Sequence, residues 1–285
     1  GDLFAAVGGA IRRFDQGTST WSTEIANGSI NSARRTDVVI TSTGRVYAAF
    51  GGSNDTGVRG VWTSANGESG WSRINTASFT PSGRMVLSTA PSNSNIIYAL
   101  FMNDGAGTFD ADLWKYDAGT TTWTDYSSKL PDEPGGDLVG NDPFTAQGGY
   151  DLVVSVKPDN ANFVVIGGSN AYKIEDITTD LTFLRIGGYN SNANYALYPN
   201  HHPDIHVLEF DPNNSNIMFS GTDGGVHKTT NITNPTIAWT SLNNNYQTYQ
   251  YYHVAMDDTN GSNIVIGGAQ DNGTTIGGTN IGLSD

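Results

Sequence analysis

Three stretches decide the fold: PSNSNIIYALF (91–101), PDNANFVVIGG (158–168) and PNNSNIMFSGT (212–222). Each is a Pro, three small or polar residues, an Asn, and then a run rich in β-branched or aromatic residues. A looser copy, DTNGSNIVIGGAQ, occupies 258–270. The apolar run reads as a strand and the Pro/Asn/Ser/Gly cluster before it as a tight turn. A strand also precedes each turn: RMVLSTA before Pro91, YDLVVSVK before Pro158, HVLEFD before Pro212 and YYHVAM before Asp257 and Asp258. The unit is a repeated hairpin.

A second block follows the first. AIRRFDQGTSTW (10–21), GVWTSANGESGW (60–71) and DLWKYDAGTTTW (112–123) align without gaps. Gly17, Gly67 and Gly119 each stand four residues before Trp21, Trp71 and Trp123. A fourth copy runs from Gly225 to Trp239 with three inserted residues. Each copy reads strand, Gly-containing turn, Trp-bearing strand. Together the blocks give an all-β chain of four-stranded antiparallel units, A to D, repeating every ~45–65 residues, which is the pattern of a β-propeller. The blades are expected at about 36–75, 84–127, 150–186 and 205–242, with a partial blade at 1–24 and another at 250–285. The Trp of each unit is expected to pack between neighbouring blades. Strand B occurs at both ends, so the segment is expected to be an incomplete part of a larger propeller protein.

The composition narrows the function. The 285 residues hold 28 Asp+Glu against 14 Lys+Arg, a net charge of −14, and no Cys. Phosphate binding wants clustered Lys/Arg, so a nucleic-acid partner is not expected. Without Cys there is no disulfide, thiolate zinc site or cysteine nucleophile. No window supplies the ~20 apolar residues of a membrane span. With no leader peptide at Gly1, the chain reads as cytoplasmic or already processed. An acidic, Lys-poor chain rich in Asn, Thr, Ser and Gly fits an exported protein of a bacterial surface.

The C–D turns resemble the Asp box of BNR, sialidase-like and sortilin-like propellers: Ser64, Asn66 and Trp71 stand at box positions, with Gly67 one place early. The stretches 146–168, 201–231 and 242–274 are similar to the large secreted glycosyl-hydrolase-like propeller proteins of Bacteroidota, many of them type IX secretion cargo. The shared elements are His202-x-Asp204-x-His206, the Asp223-Gly224-Gly225 turn and the Gln270 to Gly273 turn. The resemblance implies export to the extracellular space or cell surface and a secretion-machinery partner. Xyloglucanase-type glycosidases share the architecture, but no position here is assigned their catalytic aspartates.

Propeller topology puts A–B and C–D turns on one face, and B–C loops and the D–A links between blades on the other. That second face receives the long links 127–149 and 186–205, and long loops are where function tends to reside. It is acidic and aromatic. Tyrosine rings stack on sugar faces while Asp, Asn and Gln meet hydroxyls, so the candidate ligand residues are Tyr189, Tyr195, Tyr198, Asp223, Tyr246, Tyr249, Gln270, Asp271 and Asn272. Alternate strand residues face one way, so His202, Asp204 and His206 are the candidate metal ligands. The competing reading is a buried, hydrogen-bonded His–Asp pair at the channel. The candidate cofactor is a divalent cation, zinc for these residues or calcium at Asp223 and Asp271.

Catalysis has the weaker case. Eight of the nine arginines precede residue 85, which leaves no arginine triad for a sialidase, and no phosphate loop, zincin helix or nucleophile elbow is present. The expected function is therefore a non-catalytic module binding a glycan or a surface protein. The alternatives are a glycoside hydrolase with acid/base carboxylates on the loop face, and a secretion cargo or scaffold without a small ligand.

Overall fold

The structure is a computed structural model, described for residues 1–26, 35–52, 57–76, 78–79, 81–103, 109–134, 141–190, 196–244, 251–270 and 273–278. The chain divides into two units, Gly1–Leu242 and Asn243–Asp285. In the first unit β1 (Leu3–Val7), β2 (Ala10–Asp15) and β3 (Thr20–Ala26) form a three-stranded blade. The second blade is β4 (Thr36–Ile40), β5 (Val46–Phe50), β6 (Gly60–Ser64) and β7 (Ser72–Arg73). The third is β8 (Met85–Thr89), β9 (Ile96–Met102), β10 (Ala111–Asp117) and β11 (Thr122–Asp125). The link that follows carries a two-stranded hairpin, β12 (Asp132–Pro134) and β13 (Asn141–Pro143), where the sequence reading had only a loop. The fourth blade is β14 (Val153–Val156), β15 (Val164–Gly167), β16 (Ala171–Ile174) and β17 (Leu184–Gly187). The fifth is β18 (Ile205–Asp211), β19 (Asn214–Thr222), β20 (Gly225–Thr229) and β21 (Thr240–Ser241). The second unit is a three-stranded sheet of β22 (Tyr251–Met256), β23 (Val265–Ala269) and β24 (Thr274–Gly277). All pairings are antiparallel. Among the described residues no helix is long and apolar enough to cross a membrane.

Burial explains the sequence pattern. Every residue of β5, β9 and β15 is buried, because a second strand is covered on both faces by neighbouring blades. Such strands read as continuous apolar runs rather than alternating ones. The first strands β4, β8, β14 and β18 stand side by side in that order. They line a cavity of about 560 Å³, with Ser88, Ser155 and Glu209 among its walls and Pro91, Pro158 and Pro212 at the turns. Sheets stacked in series with their first strands around a common space are β-propeller blades.

The repeated Asn residues are turn-makers. Asn93, Asn160 and Asn214 each accept, through Oδ1, the backbone N–H two residues on, at 3.0–3.1 Å. Asp15 and Asp117 do the same for Gly17 and Gly119 in the C–D turns, at 2.7 and 2.8 Å. A short acceptor side chain of this kind closes a turn without help from the rest of the fold.

The tryptophans seal the blade rims, with one exception. Trp123 donates its indole N–H to Ile74 O at 2.8 Å, and Trp239 donates to Ile186 O at 2.6 Å. In both cases the acceptor lies at the outer edge of the preceding blade. Trp71 packs half-buried against the core of Ile11, Ile25, Ala48 and Phe50. Trp21 is the correction: it is 52 % exposed and touches Phe14 of its own blade. Truncating a buried Trp leaves a cavity as well as exposing its neighbours. Trp239→Ala is therefore expected to destabilise the first unit by about 3–5 kcal/mol, and Trp21→Ala by about 1 kcal/mol or less, as read by urea denaturation of the two variants side by side.

Candidate functional site

The richest polar cluster on the loop face lies at the seam between the fourth and fifth blades. It is built by the end of the link into β14 (Gln147, Tyr150, Asp151), the β15–β16 loop (Ser169), the end of the link into β18 (His202, Asp204), the start of β18 (His206) and the β19–β20 turn (Asp223).

The backbone that carries it has unusual torsions. Gln147, Gly148 and Gly149 all have positive φ (47°, 68° and 88°), and Asp204 stands at 61°. Left-handed backbone costs a non-Gly residue roughly 1–2 kcal/mol, so the surroundings must hold it. They do so on both sides of Asp204: its N–H donates to Ser169 O at 3.0 Å and its carbonyl accepts the Asp223 N–H at 3.2 Å. The turn at 147–149 is held by Arg84, whose Nη1 donates to Gly149 O at 3.1 Å and Tyr150 O at 2.9 Å. Gly224 is required by packing, because a Cβ there would lie 2.3 Å from the His202 ring.

A bulge decides where His206 points. Ile205 pairs with Thr222 and Val207 with Gly221, so His206 is the extra residue. The alternation is shifted by one: Ile205, Leu208 and Phe210 are buried together and His206 is turned out toward the face. Unbroken alternation along the strand would put His206 on the same side as Leu208 and Phe210. Its Nε2 instead lies 2.6 Å from Asp223 Oδ1. Tyr150 donates its hydroxyl to the same carboxylate at 3.1 Å, and its ring meets His206 edge-on at 4.9 Å between centroids. Burial and the bond to Asp223 both raise the Tyr150 phenol. The residue stays 52 % exposed.

Behind this pair sits a second layer. Gln147 Nε2 donates to Asp204 Oδ1 at 2.5 Å, to Ser169 Oγ at 3.1 Å and to Asp151 Oδ2 at 3.4 Å. Asp151 is fully buried, and Gln147 Nε2 holds its Oδ2 beside the Oδ1 of Asp204. Burial, and then the neighbouring charge of Asp204, push Asp151 up to about 7. Asp204 is raised too, by burial and then by Asp223.

The proposed metal triad does not form. His202 Nδ1 turns to its neighbour Pro203 O at 3.0 Å, Asp204 turns to Gln147 and Asp151, and His206 turns to Asp223. The strand begins only at Ile205, so alternation does not apply across 202–206. Among the described residues no group of three His, Asp or Glu side chains is placed to hold a metal ion.

Of the predicted ligand residues that are described, only Asp223 belongs to this cluster. Tyr198 is structural: its hydroxyl donates to Ile237 O at 3.1 Å and its ring packs on the core of the fifth blade. Tyr189 lies in a short bridge with Leu197, its N–H on Asn170 Oδ1 at 2.6 Å. Gln270 lies at the end of β23 in the second unit. Tyr195, Tyr246, Tyr249, Asp271 and Asn272 lie outside the described residues. Sequence reasoning missed Gln147, Tyr150 and Asp151. Their signal was the Gly148–Gly149 pair, which marks a turn tight enough to aim its neighbours.

No family model matches this chain, and no curated protein matches it. Among solved structures it is similar to a GH74 xyloglucanase from Xanthomonas campestris, with 12 % identity and a TM-score of 0.60 over 96 % of this chain and 41 % of that one. It is also similar to a GH74 enzyme from Niastella koreensis (18 % identity, TM-score 0.56, 96 % and 40 % covered) and to a chain of the COPII outer coat vertex on membranes (10 %, 0.56, 97 % and 66 %). At these identities the likeness is one of fold, and the chain spans about two fifths of the GH74 chains.

Removing the Arg84 guanidinium leaves two carbonyls without their charged donor, a loss of about 1.5–3 kcal/mol where such bonds are shielded. Arg84→Ala is expected to raise amide exchange at 148–151 selectively, leaving β9 and β15 as protected as in the parent, as followed by hydrogen-exchange mass spectrometry.

Proposed function

We propose that this propeller segment binds a glycan on its loop face and does not cleave it. The observation that carries the reading is the exposed Tyr150 ring beside Asp223 and His206. An aromatic face supplies apolar contact to a sugar ring. The carboxylate and imidazole at its edge supply hydrogen-bond partners for hydroxyls. The backbone of Tyr150 is fixed by Arg84 and its hydroxyl by Asp223, so the platform is ordered before a ligand arrives. Preorganisation of this kind lowers the entropic cost of binding.

Hydrolysis is supported less well. A two-carboxylate glycosidase needs an acid and a base that both reach the scissile bond. At this seam Asp151 has the raised pKa of an acid but is sealed from solvent. Asp223 faces outward, yet Tyr150 and His206 already hold its Oδ1. The GH74 xyloglucanase likeness supplies a reason to try β-glucans first as ligands. Export to a bacterial surface remains part of the proposal, since free polysaccharide is met there.

Glycan-array screening followed by calorimetry with xyloglucan oligosaccharides tests the reading. Tyr150→Ala is expected to weaken binding by about tenfold or more, the loss of an aromatic anchor that the ligand would cover, and Tyr150→Phe by less. Unchanged affinity in Tyr150→Ala, or release of reducing sugar from the bound polysaccharide, would refute it.

A further inference from the structure

We propose that Asp151 and Asp204 share one proton across the seam between the fourth and fifth blades, and that losing this proton loosens the loop segment that carries Tyr150. The inference is independent of what the loop face binds.

The geometry comes first. Asp151 enters from the link into β14 and Asp204 from the link into β18, so their contact ties together two successive links. Asp151 is fully enclosed, and among the described residues its Oδ1 meets no donor group. Its other oxygen, Oδ2, and the Oδ1 of Asp204 converge on one amide nitrogen, Gln147 Nε2, at 3.4 and 2.5 Å. Two carboxylates have only acceptor oxygens, so a hydrogen bond between them requires that one be protonated. The one amide donor within reach, Gln147 Nε2, is spread over Asp204, Ser169 and Asp151, closest to Asp204 and most distant from Asp151. Asp204 thus has the closer amide donor, and Asp151, whose charge is favoured besides only by its own N–H and by Ser169, is the one that carries the proton.

The surrounding charges favour keeping that proton. Asp204 and Asp223 face the pair as carboxyls, with the Tyr150 phenol bonded to Asp223. The imidazoles nearby are His202, which lies near enough to favour the charge on Asp204, and His206, which is already engaged by Asp223. The Arg84 guanidinium is committed to the carbonyls of Gly149 and Tyr150. Asp110, in the β9–β10 loop of the third blade, reaches the same link, accepting from Thr145 Oγ1 at 2.9 Å. A second full charge at Asp151 would stand in a dry site against Asp204. The backbone is set to respond, because Gln147 and Asp204 both sit at positive φ and are held there by this same cluster.

The sign follows from the direction of the shift. Asp151 is raised from 3.8 to about 7, so the folded state binds the extra proton between those values. The stabilisation is whole below the unfolded value and is lost as the pH rises through about 7.

Amide protection of 147–151 and 202–206, measured on the whole chain by hydrogen exchange at about pH 5.5 and about pH 8.5 and corrected for intrinsic rates, reads the effect. The parent is expected to lose roughly tenfold protection in both segments at the higher pH, one pH unit of linkage being a factor of ten. Asp151→Asn replaces the shared proton with a permanent N–H donor and is expected to show no such step. Asp204→Asn removes the partner charge and is expected to abolish the step too, which keeps the test decisive if the first variant misfolds. A parent without the step, or an equal step in the variants, overturns the proposal. So does calcium chloride restoring protection at the higher pH with one ion bound per chain, since a cation would then hold the pair. None of these outcomes depends on glycan binding, so this inference and the binding reading fail separately.

Discussion

The middle of the first unit depends on a single constraint: the second strands of its second, third and fourth blades are buried on both faces. Val46–Phe50 and Ile96–Met102 leave no residue for water to meet. Burying apolar surface is worth roughly 25 cal/mol per Å², and a lone sheet would forfeit it on one side. Each blade therefore needs a neighbour on each face. The chain meets this by placing consecutive blades side by side, with Phe79, Phe101, Trp114 and Trp123 interlocked between the second and third. The fourth and fifth add a buried cation: Lys173 Nζ, 1 % exposed, reaches the carbonyls of Ile232 and Asn234 at 2.9 and 2.7 Å. Polar chemistry is thereby pushed to the strand ends.

How legible this was depended on how local the physics is. The Pro–Asn turns could be read because an Asn accepting the N–H two residues on needs nothing beyond its own segment. The Trp column could be read because its spacing fixes the rim, although Trp21 shows that a rim residue is buried only where a neighbour covers it. The site could not be read the same way. Parity along His202–His206 presumes a regular strand, and two features break it: Asp204 at φ 61° and the bulge at His206. Neither leaves a mark in residue type. Tyr198 looked like the other link tyrosines, yet its hydroxyl found a buried carbonyl 39 residues away.

The fold alone does not choose a function. The same arrangement of blades is similar to xyloglucanase chains and to a coat-vertex chain, so activity has to be argued from side chains. Here exposure decides more than residue type. The carboxyl with the most perturbed proton affinity is the one most completely shut away, and the carboxylate that faces outward is already hydrogen-bonded. A perturbed pKa in a cleft is a reason to look for catalysis. A perturbed pKa in a carboxyl sealed beneath the surface is a reason to look for a device that positions what lies above it.

Tyr150 shows how such positioning reaches the surface. It enters the fourth blade with its carbonyl gripped by Arg84, at the start of the third blade, and its hydroxyl on Asp223, in the fifth. One residue thus spans the width of a blade and reports the spacing of three. Its ring cannot shift without breaking a contact to one neighbour or the other, so its orientation is set by the packing of buried strands some distance below. The next residue, Asp151, ties the same segment to the link of the following blade. Rigidity in the platform comes from the apolar seams, and any freedom it has comes from the polar contacts laid across them. A ligand or a proton can therefore act on this face without disturbing the blades that hold it.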